Sequence, residues 1–303
     1  MKIILISTLM LLVASLGYSD IGPANRLTVR VSPVVSFDNT SGGFKYTYSI
    51  LNDSTSVQSM NDINILVSDD SKKRTGTIQN ISNPIGKKWN GWVITSKELG
   101  KLFLWNAFAL SNPSDPLSTP LDLLEPGQTF TGFSFVSKGL PSIKFFYAQG
   151  YVRPPTEEEA LNYFKNALGQ SFDNLDEVPD AELQKLSPLL QDNSFKGQTI
   201  APEVFPAGQL KPIPLVQRLI ALKEKSFSMK WIDNQGVANS LDQKLNNALK
   251  DLKKGNNSSA AGILSAFRND LSAQHGKHVN DNAFALLDAN VQYILFLLKA
   301  AGN

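Results

Sequence analysis

The residues in this chain best suited to recognition chemistry are its aromatics. Trp89, Trp92 and Trp105 lie close together with Phe103 and Phe108. A flat row of such rings on a sheet would stack against sugars, whose C–H faces meet the π cloud. Phe103 and Trp105 share one strand face and Leu102 and Leu104 take the other, so both faces of that strand read as buried. Trp89, in Lys87-Lys88-Trp89-Asn90-Gly91, is the best candidate for an exposed ring, and Trp92 is its expected partner in a ligand-binding site. Core packing accounts for the same aromatics without any ligand.

Other chemistry is thinner. His275 and His278 flank Gly276-Lys277, but a structural zinc takes four ligands and no others lie near in sequence. The pair reads as part of a solvated turn, and no metal or cofactor is expected. Asp173, Asp176, Glu177 and Asp180 form the densest acidic cluster. Oxygen ligands suit calcium, yet the alternating acidic loop with a central glycine and a distal glutamate is missing. Asp180 as the N-cap of a short helix is the simpler reading. Lys72-Lys73-Arg74 and Lys87-Lys88 read as solubilising loop charges. Gly132-Phe133-Ser134 lacks the second glycine of a nucleophile elbow, and no zinc-protease pair, phosphate loop or dinucleotide fingerprint occurs. A glycosidase pair of carboxylates leaves no fixed spacing, so that alternative stays open.

Composition narrows the rest. Without cysteine there are no disulfides, thiolate metal sites or cysteine nucleophiles. Lys and Arg number 29 against 27 Asp and Glu, a net +2 that gives no reason to expect nucleic acid as a partner. The 303 residues suggest about two domains.

Those domains have legible borders. Residues 1–19 read as a signal peptide: Lys2 precedes the apolar run Ile3 to Leu16, small residues follow, and cleavage is expected between Ser19 and Asp20. No later segment reads as a transmembrane span. A cysteine-free exported chain fits a bacterial source, because secreted eukaryotic domains lean on disulfides. Residues 20–153 alternate with period two in seven short runs and read as an immunoglobulin-like β-sandwich. The phrase Leu124-Glu125-Pro126-Gly127 resembles the turn of many bacterial immunoglobulin-like modules. Residues 154–213 read as a helix, opened by a capping box at Thr156 and Glu159, followed by a Pro-rich linker lying against the sandwich. Residues 214–303 carry four apolar stripes at helical spacing and read as an antiparallel helical bundle, with Leu241, Leu245, Ala248 and Leu252 as one stripe. The fold class is thus mainly β plus α, as separate domains.

The last third also carries a family pattern. Trp231-Ile232 and Gly236 lead into Ser240-Leu241-Asp242-Gln243-Lys244-Leu245. Ala248, Lys254-Gly255-Asn256, Ala261, Leu264, Ala266-Phe267, Ala273-Gln274 and Gly276-Lys277 follow. Over about residues 215–298 this series resembles the FIMAH-type helical module of secreted bacterial proteins. Arg268 departs from it, since an apolar residue usually follows the phenylalanine. The resemblance implies an accessory domain on an exported protein and supplies no catalytic residue.

The function expected from these readings is an exported, non-catalytic protein acting by binding or structural support at the bacterial cell exterior. Extracellular polysaccharide or a cell-surface protein would be its partner. The alternatives are a carbohydrate-binding module using exposed tryptophans of the sandwich, and a glycan-active enzyme with a carboxylate pair.

Overall fold

Phe44, Tyr46, Tyr48 and Ile50 are fully buried while Lys45 between them is exposed, and that alternation makes their segment a strand with one face in the core. The computed structural model describes residues 26–68, 78–96, 100–107, 122–151, 161–162, 165–166, 169–171 and 195–301. The expected signal peptide and its cleavage site, Lys72 to Arg74, Phe108, the capping box at Thr156 and the acidic cluster from Asp173 to Asp180 lie outside the described residues.

Nine strands are described: β1 (Val29–Asp38), β2 (Gly43–Asn52), β3 (Met60–Ser68), β4 (Gln79–Ser82), β5 (Asn90–Ser96), β6 (Gly100–Asn106), β7 (Thr129–Ser137), β8 (Leu140–Gly150) and β9 (Phe195–Glu203). They form two antiparallel sheets in the orders β1-β2-β7-β4 and β5-β6-β3-β8-β9. Aromatic rings from both sheets interlock between them. Phe135 of β7 lies stacked 4.7 Å from Phe103 of β6, and Phe133 meets Trp105 edge-on at 5.3 Å. Gly127, in the turn before β7, takes φ +81°, a conformation open to glycine, and its N–H donates to the Asn52 carbonyl at 2.7 Å.

All seven expected runs are strands, and two more join them. β4 is exposed along its whole length, so it has no apolar half for a period-two reading to find. β9 corrects the linker expectation over part of residues 154–213: it pairs with β8 from Ala148↔Phe195 to Leu140↔Glu203 and buries Thr199, Ile200 and Ala201. Pro202 suggested a break, but β9 is an edge strand, where a missing N–H is tolerated.

Four helices follow: α1 (Pro212–Ser228), α2 (Gln235–Lys253), α3 (Asn257–Gln274) and α4 (Asp281–Ala301). α1 starts with proline, whose fixed φ suits a first turn. Asn234 caps α2 by accepting from the Val237 N–H, and Asn280 accepts from the Ala283 N–H at 3.0 Å. Each helix packs on the next and α1 also meets α4, closing the bundle. By length and composition alone α4 is apolar enough to cross a bilayer, which corrects the expectation that no late segment qualifies. In the fold, 56% of that apolar stretch is buried inside the protein.

The bundle sits on the sandwich through α4. Phe37 of β1 lies 5.5 Å from Tyr293 and 5.4 Å from Phe296, both edge-on, so one continuous apolar core runs through both parts. A polar clasp sits beside it. Arg218 of α1 donates to the Asn290 Oδ1 (2.8 Å), to the Pro141 carbonyl (2.9 Å) and to the Ser142 hydroxyl. Asn290 of α4 donates to the same Pro141 carbonyl at 3.0 Å. Ser142 and Lys144 of β8 both reach Glu203 of β9, at 2.5 and 3.0 Å. Burial pulls the Arg218 pKa down to about 10, with Glu203 acting against that shift.

Candidate functional site

The two tryptophans expected to share a ligand are on different sides of a sheet. Trp89 is 1% exposed, which corrects its reading as the exposed ring. Its indole N–H donates to the Asp122 carbonyl at 2.8 Å, and its ring meets Phe133 edge-on at 5.4 Å. The flanking charges misled: Lys87 stays outside, with its ammonium 4.7 Å from the Phe130 ring centre and 3.7 Å from Asp122 Oδ1. The chain turns a single side chain inward just before β5 begins. No sugar can stack on Trp89.

Trp92 lies on the outer face of the five-stranded sheet, half-buried. The register sets it in a row that crosses all five strands: Trp92, Leu104, Asn64, Tyr147 and Lys196. The adjoining row is polar, with Asn90, Asn106, Asp62 and Gln149 side by side. Leu66, Leu102 and Tyr147 bury one another beneath this face, apart from the main core. Phe145 remains 38% exposed with the Lys196 ammonium 4.2 Å from its ring centre. The face therefore carries a half-buried tryptophan, a partly exposed phenylalanine and a cation. That set suits binding by stacking and hydrogen bonding.

Asp62 is the unusual member. Burial pushes its carboxyl up to about 7, while the Asn106 amide, 3.3 Å away, pulls in the other direction. Asn64 also donates to it at 2.5 Å. Amide donors favour the charged carboxylate, so the upward shift comes from burial, which outweighs them. Nothing in sequence marked it, because Asn61-Asp62-Ile63-Asn64 looks like an ordinary polar half of a strand.

The histidines part company. His275 Nε2 lies 3.0 Å from Asp281, and its ring stacks on Phe284 at 4.1 Å. His278 Nδ1 lies 2.8 Å from Asp233. Each imidazole pins the turn before α4 to a different carboxylate. Among the described residues no three histidine, aspartate or glutamate side chains cluster as a metal would need.

Arg268 has the role that its sequence neighbours concealed. Its Nε and Nη2 grip both oxygens of Asp288 on α4, at 2.6 and 3.1 Å, and Gln292 donates to the same carboxylate at 2.5 Å. This fork holds α3 to α4. Beside it opens a cleft of about 480 Å³ between the bundle and the β1–β2 turn, lined by Asn39, Arg268, Gln292, Phe296 and Lys299 among others. Among the described residues the lining holds no Asp or Glu. The facing carboxylates of a glycosidase are therefore not found in this cleft.

Residues 219–296 match the family model of the FIMAH domain, from within α1 to within α4. The C-terminal bundle is a FIMAH-like module, in the stretch where the sequence carries the pattern. No curated protein matches the chain.

Proposed function

We propose that this is an exported, non-catalytic protein that acts by binding at the bacterial cell exterior, with the sandwich as a rigid body and the FIMAH-like module fastened to it. The observation that carries this reading is where the reactive side chains go. His275 with Asp281, His278 with Asp233, Lys223 with Asp242 and Lys144 with Glu203 are each tied in pairs that hold elements together. The cleft lining and the Trp92 face, by contrast, present side chains suited to contact. The apolar leader and the absence of cysteine support export.

The test has two arms. The full chain and a chain lacking residues 1–19 are expressed in a bacterium and fractionated. The full chain is expected outside the cytoplasm with Asp20 at its new N-terminus, and the truncated chain inside; cytoplasmic retention of both overturns export. Purified residues 20–303 are then incubated with polysaccharide, ester and peptide panels and co-sedimented with envelope material. Turnover of any substrate overturns the non-catalytic reading.

A second reading, carbohydrate binding on the sandwich, keeps a specific observation in the outer-face row through Trp92, although Trp89 drops out of it. Glycan-array binding that Trp92→Ala abolishes supports it, and silence of the wild-type protein on the array removes it.

A further inference from the structure

A cleft opens at the seam of module and sandwich. At about 480 Å³ it falls within the range of small-ligand sites, and it joins a few polar groups to an apolar wall. Its guanidinium is preorganised: Asp288, only 7% exposed, fixes Arg268 through two hydrogen bonds. A guanidinium has five N–H donors, so those left over are held in a fixed plane, and the side chain is 37% exposed. Lys299, at the last turn of α4, makes no hydrogen bond or ion pair among the described residues. Part of its charge answers the partial negative charge of that helix end, and the remainder faces the solvent. Because Asp288 balances Arg268, Lys299 sets the positive sign of the cleft. Phe296 and Leu295 supply the apolar wall. Asn39 and Gln292 supply carboxamides, each both donor and acceptor.

We propose that this cleft binds a carboxylate-bearing saccharide, a hexuronate unit of an acidic extracellular polysaccharide. The planar carboxylate matches the free edge of the Arg268 fork with Lys299 beside it. The C–H face of the sugar lies on Phe296 and Leu295, and the carboxamides meet vicinal hydroxyls. An acidic peptide fits less well, because its flexible side chains present no rigid ring face to lie on Phe296 and Leu295 and must be ordered on binding. The proposal rests on the binding reading above and names the ligand class for it.

The experiment is calorimetric titration of purified residues 20–303 with three probes: trigalacturonate, a neutral galactose trisaccharide, and triglutamate. Trigalacturonate is expected to bind at least about tenfold more tightly than either of the others, and to weaken as salt rises. Lys299→Gln is expected to cost about tenfold, the scale of one charge-assisted contact. Arg268→Lys keeps the partner of Asp288 but loses the fork, and is expected to cost as much. Ala300→Phe fills the cleft without changing charge, and is expected to abolish binding with the thermal midpoint unchanged. Equal binding of the neutral trisaccharide or of triglutamate overturns the proposal. So does wild-type protein that binds none of the probes, or binding that survives Ala300→Phe. A protein that is exported and sediments with envelope material equally well as wild type and as Ala300→Phe sinks the cleft while leaving the proposed function standing.

Discussion

At the scale of single residues, the two tryptophans separate packing from recognition. Trp89 is enclosed by Phe130 and Phe133, so Trp89→Ala removes a large buried ring and is expected to cost about 3–5 kcal/mol in urea denaturation. Trp92 is half-buried on an outer face, and Trp92→Ala is expected to cost less than about 1.5 kcal/mol in the same measurement. Equal losses at the two sites would contradict the placement of the rings. Asp62 makes a further distinction, in pH. Its folded carboxyl titrates at about 7, against 3.8 for the ordinary group, so the native state keeps a proton that the unfolded chain has lost. The native state then binds more protons between these values, and stability falls as pH rises through that window. Below it both states are protonated and the penalty is absent; above it the penalty is complete. Its size is on the order of a few kcal/mol. Asp53 runs the other way, because hydrogen bonds from Thr55 lower its carboxyl, and its contribution fades only in acid. Asp62→Asn is therefore expected to flatten the decline in thermal midpoint between pH 5 and about pH 8. An unchanged slope in that variant would refute the assignment to Asp62.

At the scale of elements, burial of a charge can outweigh its apparent solubility. Lys223 sits among Lys and Glu residues in sequence, yet its side chain is 1% exposed and pairs with Asp242 across α1 and α2. Asp242→Ala leaves the buried ammonium with Glu224 alone, at 3.0 Å, and is expected to cost about 2–3 kcal/mol. Lys223→Met leaves a carboxylate that is 28% exposed and can hydrate, so the loss there is expected to be less than half as large. Urea midpoints of the two variants, measured side by side, check the order; a costlier Lys223→Met would overturn it. The same pair shows what a sequence can disclose. β1, β2 and the helix stripes were legible because one face of each is apolar: Val29, Val31 and Val35, or Leu241, Leu245, Ala248 and Leu252. β4 has no apolar face, and Pro202 masks β9, whose place depends on which strand it lies beside. The burial of Trp89 and the partner of Arg268 are hidden from the sequence for one reason. The sequence neighbours of both residues are polar or amphipathic, while their environment is set by Asp122 and Asp288, which are distant in sequence. The cleft was not legible, since it is assembled from a strand turn and two helices.

At the scale of the whole molecule, the issue is whether sandwich and module behave as one body. Two features join them, and they differ in kind. The Phe37, Tyr293 and Phe296 cluster is non-directional: it favours contact and tolerates sliding. The clasp is directional, because Arg218 and Asn290 converge on the single carbonyl of Pro141 while Arg218 also reaches Ser142. Since these groups are largely buried, losing any of them leaves others unsatisfied, which costs more than the bond itself contributes. Calorimetry of residues 20–303 is therefore expected to show one cooperative transition. Arg218→Ala removes the donor to Asn290, Pro141 and Ser142 together, and is expected to lower stability by about 2–4 kcal/mol. A single transition is expected to persist in this variant, because the apolar core that runs through both parts still couples them. Asn290→Ala leaves the Arg218–Pro141 bond in place and is expected to lower the midpoint without splitting it. Two transitions in the wild-type protein would mean that the seam is a loose contact. The cleft, which borrows Asn39 from the sandwich, would then lack a fixed shape, and ligand binding there would have to bear the cost of ordering it.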